Sequence, residues 1–453
     1  MTHRYETFET ISFGYEKIKG TQYANSIHMS DLLCFALVVV NISKGKLKGR
    51  LQKIPSGMIF LTISFLTASF SIFNSEVELI NRSFFAISAN LRMLLFYFFL
   101  SYLLRDFAKL RWLLRVFATL IIFTFVLQMR DRYLYGMNIV QGHFMTPNQA
   151  CFILAGLTAI MFALSLNNML FREKSRLFLL AFLTGPLAII LTQNRGGLIN
   201  LFISCGFVLV VDLLFKFRVK KVVMIWLLTI GATGAVIKSY DTFYNRFFGH
   251  ASNVAGTSLR KTFYVIAYEN FKLNPMLGLG INQFGNTALN DPRLVDKILN
   301  NGWVNKDYRL RATVTNYIND VIKMSNKGFA LNDPRRAFGI CESFWFLCLS
   351  EYGLIGFIPL VVAYLFFLFQ GVVNIFYFRG RHHYFYALSL GFTASTLGMI
   401  VHGMTEWCLR QSQAMYFVAM YFAVTSLCTY MRRQKAFYSE EAPPPFATLG
   451  TVS

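Results

Sequence analysis

The chain has 453 residues, of which 55% are hydrophobic and 15% charged, and its mean hydropathy is +0.46. Soluble domains carry about 25% charged residues, so this composition excludes an ordinary soluble protein and indicates many membrane spans. A net charge of +22 would suggest nucleic acid as the partner of a soluble protein. Most of this excess positive charge lies in short loops on one side of the predicted spans, where it sets the orientation of the spans. We therefore expect the protein to contact a lipid bilayer and not to bind nucleic acid.

Repeated apolar runs predict eleven membrane helices. The first, Asp31–Ile42, is short, and it is either a span beginning near Asn25 or a segment lying at the membrane interface. The others are Gly57–Phe73, Phe84–Leu104, Trp112–Met129, Gln149–Leu166, Leu177–Thr192, Leu198–Phe215, Val222–Ile237, Tyr352–Phe369, Tyr386–Met404 and Gln413–Tyr430. Unpaired backbone amides are too costly in lipid, so the sequence predicts an all-α polytopic protein with 11–12 spans.

These spans divide the chain into five parts. A polar N-terminal segment, to which we assign no fold, is followed by membrane helices, one large loop, further membrane helices and a proline-containing tail that we expect to be disordered. Their bounds are 1–30, 31–238, 239–341, 342–430 and 431–453.

The distribution of positive charge orients the spans. The loops after the odd-numbered spans, together with the start of the tail, hold 20 Lys and Arg residues and two acids. The short loops on the other side hold five Lys and Arg residues and four acids. The positive-inside rule places the first set in the cytoplasm and the large loop outside. The N-terminus is outside if all eleven spans are real, and inside if the first segment only lies at the interface.

The large loop is itself basic, with 13 Lys and Arg residues against seven acids between Tyr240 and Cys341. Such a surface suits anionic partners such as phosphates or charged glycans, although a solvated face is the alternative. One helical stretch of the loop opens at Arg260. Phe263, Ala267 and Phe271 recur on one of its faces, which predicts that this helix packs on the membrane surface.

Two arginines beside apolar runs are candidates for function. Arg92 lies inside a predicted span, where ionisable groups are costly and often functional; the alternative is a snorkelling or structurally paired arginine. Arg195 lies at the external end of a span, in L-T-Q-N-R-G-G, where glycines permit close backbone approach. A guanidinium suits phosphate there, and the alternative is a plain helix cap.

Two residues are candidates for the general base. Glu342 precedes the last group of spans, and a carboxylate at a lipid boundary should have either a pKa raised by desolvation or an arginine partner. Either condition suits a general base, whereas the alternative is an acid that caps a helix start. His402 lies near the external end of its span, as a buried structural histidine or as the second candidate.

Four motifs around the loop together resemble a known family. They are G-H-F-M-T-P-N-Q-A before a span, L-T-Q-N-R-G-G at a span junction, S-L-R-K-T-F-Y…N-P-M-L-G-L-G-I-N-Q-F in the loop, and E-S-F-W-F-L-C-L-S-E-Y-G-L-I-G after it. In this order and topology, over roughly residues 57–430, the chain resembles the O-antigen ligase and O-antigen polymerase superfamily of bacterial inner membranes.

The resemblance implies a membrane glycosyltransferase of C-type architecture in the inner membrane, with the large loop in the periplasm. Its donor would be a glycan on undecaprenyl diphosphate, attacked with inversion by a hydroxyl of an acceptor glycan, without a metal, nucleotide sugar or other cofactor. Arg195 and Arg260 would hold the diphosphate, whose charge grows as the bond breaks. Glu342 would be the catalytic base or an acceptor-sugar ligand. Further candidates for substrate binding are Arg92, Lys261, Asn282 and His402.

One departure favours the polymerase branch. Ligases usually have a His-Asn pair nine residues before the glutamate of E-x-G-L-I-G, and here Glu342 and Ser343 occupy those places. The alternatives are a ligase that transfers the glycan to lipid A–core and, in a different class, a flippase for the lipid-linked glycan. The absence of related halves, which transporters usually show, favours the enzyme. The sequence leaves open whether a chain-length regulator binds as a further partner.

Overall fold

The structure is a computed structural model that describes residues 10–12, 26–28, 54–137, 139–144, 146–167, 176–215, 250–287, 292–326 and 341–434. Apart from one antiparallel pair of three-residue strands, β1 (Thr10–Ser12) and β2 (Ser26–His28), the regular structure in these ranges is helical. This confirms the all-α polytopic prediction.

The helices of the N-terminal half are α1 (Met58–Ser69), α2 (Ile80–Leu103), α3 (Phe107–Tyr133), α4 (Pro147–Leu166), α5 (Arg176–Thr192) and α6 (Arg195–Phe215). The large loop contributes α7 (His250–Leu273), α8 (Phe284–Thr287), α9 (Pro292–Leu299), α10 (Gly302–Lys306) and α11 (Tyr308–Asn326). The last helices are α12 (Phe344–Phe378), α13 (His383–Thr405) and α14 (Ser412–Arg433). Short 3₁₀ turns cover Phe70–Asn74, Val77–Leu79 and Cys408–Arg410.

Within the described ranges, seven helices are long and apolar enough to cross a membrane, and two shorter apolar helices accompany them. The seven are Val77–Leu103, Phe107–Tyr133, Pro147–Leu166, Arg195–Phe215, Phe344–Phe378, His383–Thr405 and Gln413–Arg433, and the shorter two are Met58–Asn74 and Arg176–Thr192. These nine coincide with nine of the predicted spans. The two remaining predictions, 31–42 and 222–237, lie outside the described residues.

Local capping explains where the helices begin. The predicted span at Gln149 starts two residues earlier as α4, because Thr146 accepts a hydrogen bond from the Gln149 N–H at 3.1 Å and Pro147 occupies the first turn. Both residue types are favoured at these positions. Asp106 caps α3 in the same way, accepting from the Ala108 N–H at 3.0 Å.

The chain divides into two compact units. The second contains Leu103–Ala235, Leu365–Met399 and Met420–Ser453. Its centre is α4, which packs against α3, α5 and α6 and is buried at every residue from Gln149 to Leu166. A helix that is apolar on all sides is a buried one, so α4 is the core around which the other helices of this unit pack.

The first unit contains Met1–Tyr102, Val236–Tyr364 and Ile400–Ala419, and therefore includes the large loop. The loop helices form their own core, in which α7 packs against α9 and α11. Phe263 and Ala267 of α7 are buried in this core, so the prediction that their face packs on the membrane surface is wrong. Leu294 and Ile298, four residues apart on α9, and Val314 of α11 cover the face instead.

The glycine-rich turn after α7 is joined to α12 by backbone hydrogen bonds. The Leu279 and Gly280 amides donate to the carbonyls of Ser350 and Glu351 at 2.9 and 3.1 Å. In return, the Leu354 N–H donates to the Pro275 carbonyl at 2.8 Å. The family motifs at 274–284 and 351–356, far apart in the sequence, thus form one structural element.

This joint breaks the long helix α12. Gly353 has φ 57° and ψ −168°, a backbone conformation that is essentially restricted to glycine. A Cβ atom here would clash with the Met276 carbonyl and lie 2.6 Å from the Gly278 nitrogen. The predicted span that begins at Tyr352 therefore starts at the break, and the residues before it form a separate helical segment from Phe344.

Candidate active site

Three segments of the first unit meet at the candidate residues Arg260 and Glu342. They are α7, the start of α12, and the segment 402–411, which comprises the end of α13 and the connector to α14. The Phe344 N–H donates to the Glu406 carbonyl at 3.3 Å, and the Trp345 indole N–H donates to the Ile400 carbonyl at 2.9 Å. The Ser343 hydroxyl donates to the Gly403 carbonyl at 3.3 Å. These bonds fix the beginning of α12 against the end of α13.

At this junction Arg260 is in ionic contact with two carboxylates. Its Nε atom pairs with Oε2 of Glu342, and its Nη2 atom lies 3.3 Å from Oε1 of Glu406. The side chains are exposed to different degrees, with 39% for Arg260, 32% for Glu342 and 1% for Glu406. We call these three residues the Arg260 cluster.

Glu342 has the electrostatic properties expected of a base. Burial raises the pKa of the Glu342 carboxyl above its ordinary value, and the Arg260 guanidinium lowers that pKa without cancelling the effect of burial. Capping does not explain the residue, because the Leu347 N–H bonds to the Ser343 carbonyl at 2.9 Å and the Ser343 hydroxyl accepts from the Phe346 N–H at 3.4 Å. Ser343 is therefore the N-cap, and Glu342 lies outside the helix.

Two other groups near the cluster remain neutral. Burial raises the pKa of Tyr264 to about 12, and its hydroxyl donates to the Met404 carbonyl at 3.4 Å while its ring stacks on Phe346. Burial also raises the pKa of the Cys341 thiol. Since a thiol attacks as its thiolate, Cys341 is not suited to be the nucleophile.

His402, the other base candidate, is 1% exposed. Its carbonyl accepts hydrogen bonds from the Glu406 N–H at 2.9 Å and the Thr405 hydroxyl at 3.1 Å. The His402 carbonyl thus fixes the backbone of Glu406. The buried ring agrees with the prediction that His402 is a structural histidine. Of the two base candidates, Glu342 is the one whose side chain is partly exposed.

Of the other predicted binding residues, Lys261 adjoins the cluster in the sequence, whereas Asn282 contacts the buried Glu351. Lys261 follows Arg260 on α7 and forms an ion pair with Asp307 at 3.8 Å. Asn282 lies in the glycine-rich turn with a positive φ of 62°, which asparagine tolerates better than most residues, and its N–H donates to Oε2 of Glu351 at 2.9 Å. Their contact with a substrate stays a prediction.

Arg195 belongs to the second unit and occupies the first turn of α6. Asn194 caps this helix by accepting from the Gly197 N–H at 2.7 Å, so the capping role belongs to Asn194. Gln193 has a positive φ of 54°, and Gly197 packs so tightly on Cys151 that a side chain would clash. The expected close backbone approach is confirmed, and it fixes where Arg195 emerges.

Arg92 lies in the middle of α2, a helix long and apolar enough to cross a membrane, and is partly buried; its role stays a prediction. No group of three or more His, Cys, Asp or Glu residues within the described ranges is placed to hold a metal ion.

The sequence analysis assigned no site role to three ionic residues. Glu406 was counted only as an acid of a short external loop, and its partner Arg260 is 146 residues away. Glu351 and Arg410 form a buried ion pair whose side chains are 2% and 4% exposed. The available signal was that acids are rare beside the spans, which makes each of them a candidate for a specific partner.

A comparison with known families finds a match over the region that contains several of the candidate residues. Residues 177–305 match a family model described as O-antigen ligase, and this region contains Arg195, Arg260, Lys261 and Asn282. No curated protein matches the chain. The match does not distinguish a polymerase from a ligase. Over residues 177–305 the chain is similar to the O-antigen ligase family, which supports the resemblance to the O-antigen ligase and polymerase superfamily.

Proposed function

We propose that the chain is a polymerase of a surface polysaccharide (O-antigen, capsule or exopolysaccharide) that works at the periplasmic face of the inner membrane. It transfers a glycan from undecaprenyl diphosphate to a hydroxyl of an acceptor glycan. The family supports glycan transfer, and the contact between Glu342 and Arg260 supports the mechanism.

In this mechanism Glu342 takes the proton of the acceptor hydroxyl, and the hydroxyl oxygen attacks the anomeric carbon. The bond between that carbon and the diphosphate oxygen breaks with inversion, and the electron pair leaves with the diphosphate. Arg260 stabilises the negative charge that grows on the leaving group, which is where a fixed cation lowers the barrier most. The raised pKa of Glu342 makes it a stronger base than an exposed glutamate.

For Arg195 we propose phosphate binding as well. Its support is the family resemblance and its position in the first turn of α6, where the amide groups of a helix N-terminus favour anions. The roles of Arg92, Lys261, Asn282 and His402 in substrate binding remain part of the proposal.

The polymerase branch is favoured over the ligase branch by one residue. Where ligases usually have a histidine, this chain has Glu342, and the structure leaves that carboxylate 32% exposed. The second candidate function is therefore transfer of the finished glycan to lipid A–core.

A reconstituted reaction distinguishes these functions. Purified protein in liposomes would receive an undecaprenyl-diphosphate-linked repeat unit as its substrate, and products would be separated on a gel. A ladder of lipid-linked oligomers supports a polymerase, whereas transfer that occurs only after lipid A–core is added supports a ligase. Movement of the intact donor between leaflets without new glycosidic bonds would contradict both and indicate a flippase.

Arg260→Lys provides the site control, because it keeps the charge and removes the planar fork of donors. Arg311→Ala is the matched control, since Arg311 is an exposed arginine on loop helix α11. We expect the ladder to weaken strongly in the first variant and to persist in the second. Equal ladders in both variants would contradict a role for Arg260.

A further inference from the structure

Glu406 is the most buried member of the Arg260 cluster. It is 1% exposed and reaches Nη2 of Arg260 at 3.3 Å. Its backbone is also fixed, because its N–H donates to the His402 carbonyl at 2.9 Å and its carbonyl accepts from the Phe344 N–H at 3.3 Å. Glu406 is therefore anchored to the end of α13 and to the start of α12.

The two carboxylates hold different atoms of the guanidinium. Glu342 contacts Nε and Glu406 contacts Nη2, and among the described residues no partner is found for Nη1. Glu342 is 32% exposed, so an incoming anion can compete with it for Arg260. Glu406 is buried, and a buried carboxylate that loses its partner is strongly destabilised, so it keeps Arg260.

We propose that Glu406 is a positioning residue that keeps Arg260 in the site while the guanidinium exchanges Glu342 for a phosphate oxygen of the donor. This inference rests on the proposed function. The exchange has a chemical consequence, because Glu342 loses its cation when the donor binds and so becomes a stronger base at the step in which it must take a proton.

The surroundings of Glu342 make Arg260 the decisive group. Glu342 faces Arg260 and Tyr264 from α7, Cys341 on its own segment, and Glu406 beyond Arg260. Tyr264 and Cys341 have raised pKa values and stay uncharged near neutral pH. The charge that Glu342 experiences therefore depends on how Arg260 is shared between the two carboxylates.

The variant Glu406→Gln tests this role, with Glu78→Gln as the control because Glu78 is an exposed glutamate of the same unit. In Glu406→Gln we expect KM for the lipid-linked donor to rise about tenfold, with kcat changing about threefold or less. Inhibition by undecaprenyl diphosphate should weaken by a similar factor, since this product probes the phosphate site without the acceptor.

The pH profile supplies a measurement that a purely structural role would not change. In Glu406→Gln, Arg260 is shared with no other charged acid of the cluster, so it stabilises the Glu342 carboxylate more. The acidic limb of kcat/KM, which reports free-enzyme groups, should then move to lower pH. If Glu406→Gln does not fold, Glu406→Asp keeps the charge but shortens the reach, and it should raise KM while leaving the acidic limb near the wild-type position.

The outcomes separate this inference from the proposed function. Suppose that the wild type is active and that the Glu406 variants have unchanged KM, inhibition and acidic limb. This result would overturn the positioning role alone. Variants whose only change is a lower yield of folded protein would overturn it as well. A wild type that forms no glycosidic bond with either acceptor would overturn the proposed function itself.

Discussion

Two arginine–carboxylate clusters of the first unit share one connector but differ in their surroundings. Arg410 and Glu351 are almost fully buried, and Glu351 also accepts hydrogen bonds from the amides of Asn282 at 2.9 Å and Phe284 at 3.1 Å. The Arg260 cluster is partly exposed and has two carboxylates for one guanidinium.

The difference separates an ion pair suited to a structural role from one that the proposed mechanism can use. Glu351 has its charge balanced and its oxygens occupied, so it fastens the glycine-rich turn to α12 and has nothing left for a substrate. In the Arg260 cluster two carboxylates contact the same guanidinium, and the side chains of Glu342 and Arg260 are partly exposed. Perturbed groups in such places are candidates for catalysis.

The largest expected effect is in the Arg260 cluster. Glu342→Gln removes the base, and general-base catalysis contributes about 10²- to 10⁴-fold, so kcat should fall by about that factor. The melting temperature should stay near wild type, because the glutamine is isosteric and Glu406 still pairs with Arg260. Initial rates of oligomer formation and thermal melts in detergent check this, with Glu78→Gln as the control.

The opposite result is expected at the buried pair. Arg410→Met leaves Glu351 as a buried charge without its guanidinium, which costs about 3–5 kcal/mol of stability, while the protein that remains folded should keep its kcat. Thermal melts of Arg410→Met and of the double variant with Glu351→Gln measure this. Because the double variant removes the unpaired charge, it should recover part of the loss. A single variant as stable as wild type would refute the structural role.

A smaller effect is expected at the helix break that the buried pair supports. Gly353→Ala forces a side chain into a glycine-only conformation against the Met276 carbonyl, which should cost about 3 kcal/mol. The control is Gly206→Ala in α6, where a Cβ meets no atom within 4 Å and alanine is the better helix former. Equal melting temperatures for the two variants would show that the helix break at Gly353 tolerates a side chain.

These elements also show how far the sequence could predict the structure. The spans were predictable because lipid requires long apolar helices, and the described helices coincide with nine of them. The apolar face of α7 was visible as a pattern, but a pattern does not say what covers it. Leu294 and Ile298 of the loop cover that face, and no local signal distinguishes them from the membrane surface.

The site was predictable only in part. Glu342 and Arg260 could be named from motifs, and the structure brings them into contact. Glu406 could not, because its partner is distant in the sequence and its burial depends on the packing of α7, α12 and α13. The same holds for Glu351, whose bonds to the 274–284 turn join segments about 70 residues apart, and for its partner Arg410.

The most direct test of the account is the pH dependence of kcat for wild type and for Glu342→Gln in the reconstituted reaction. A base acts when it is ionised, so activity should fall as pH decreases through the pKa of Glu342. Burial raises this pKa, so the acidic limb should lie above the ordinary glutamate value of about 4.3, and it should vanish in Glu342→Gln together with most of the activity. An unchanged acidic limb in an active Glu342→Gln would contradict the assignment of Glu342 as the base.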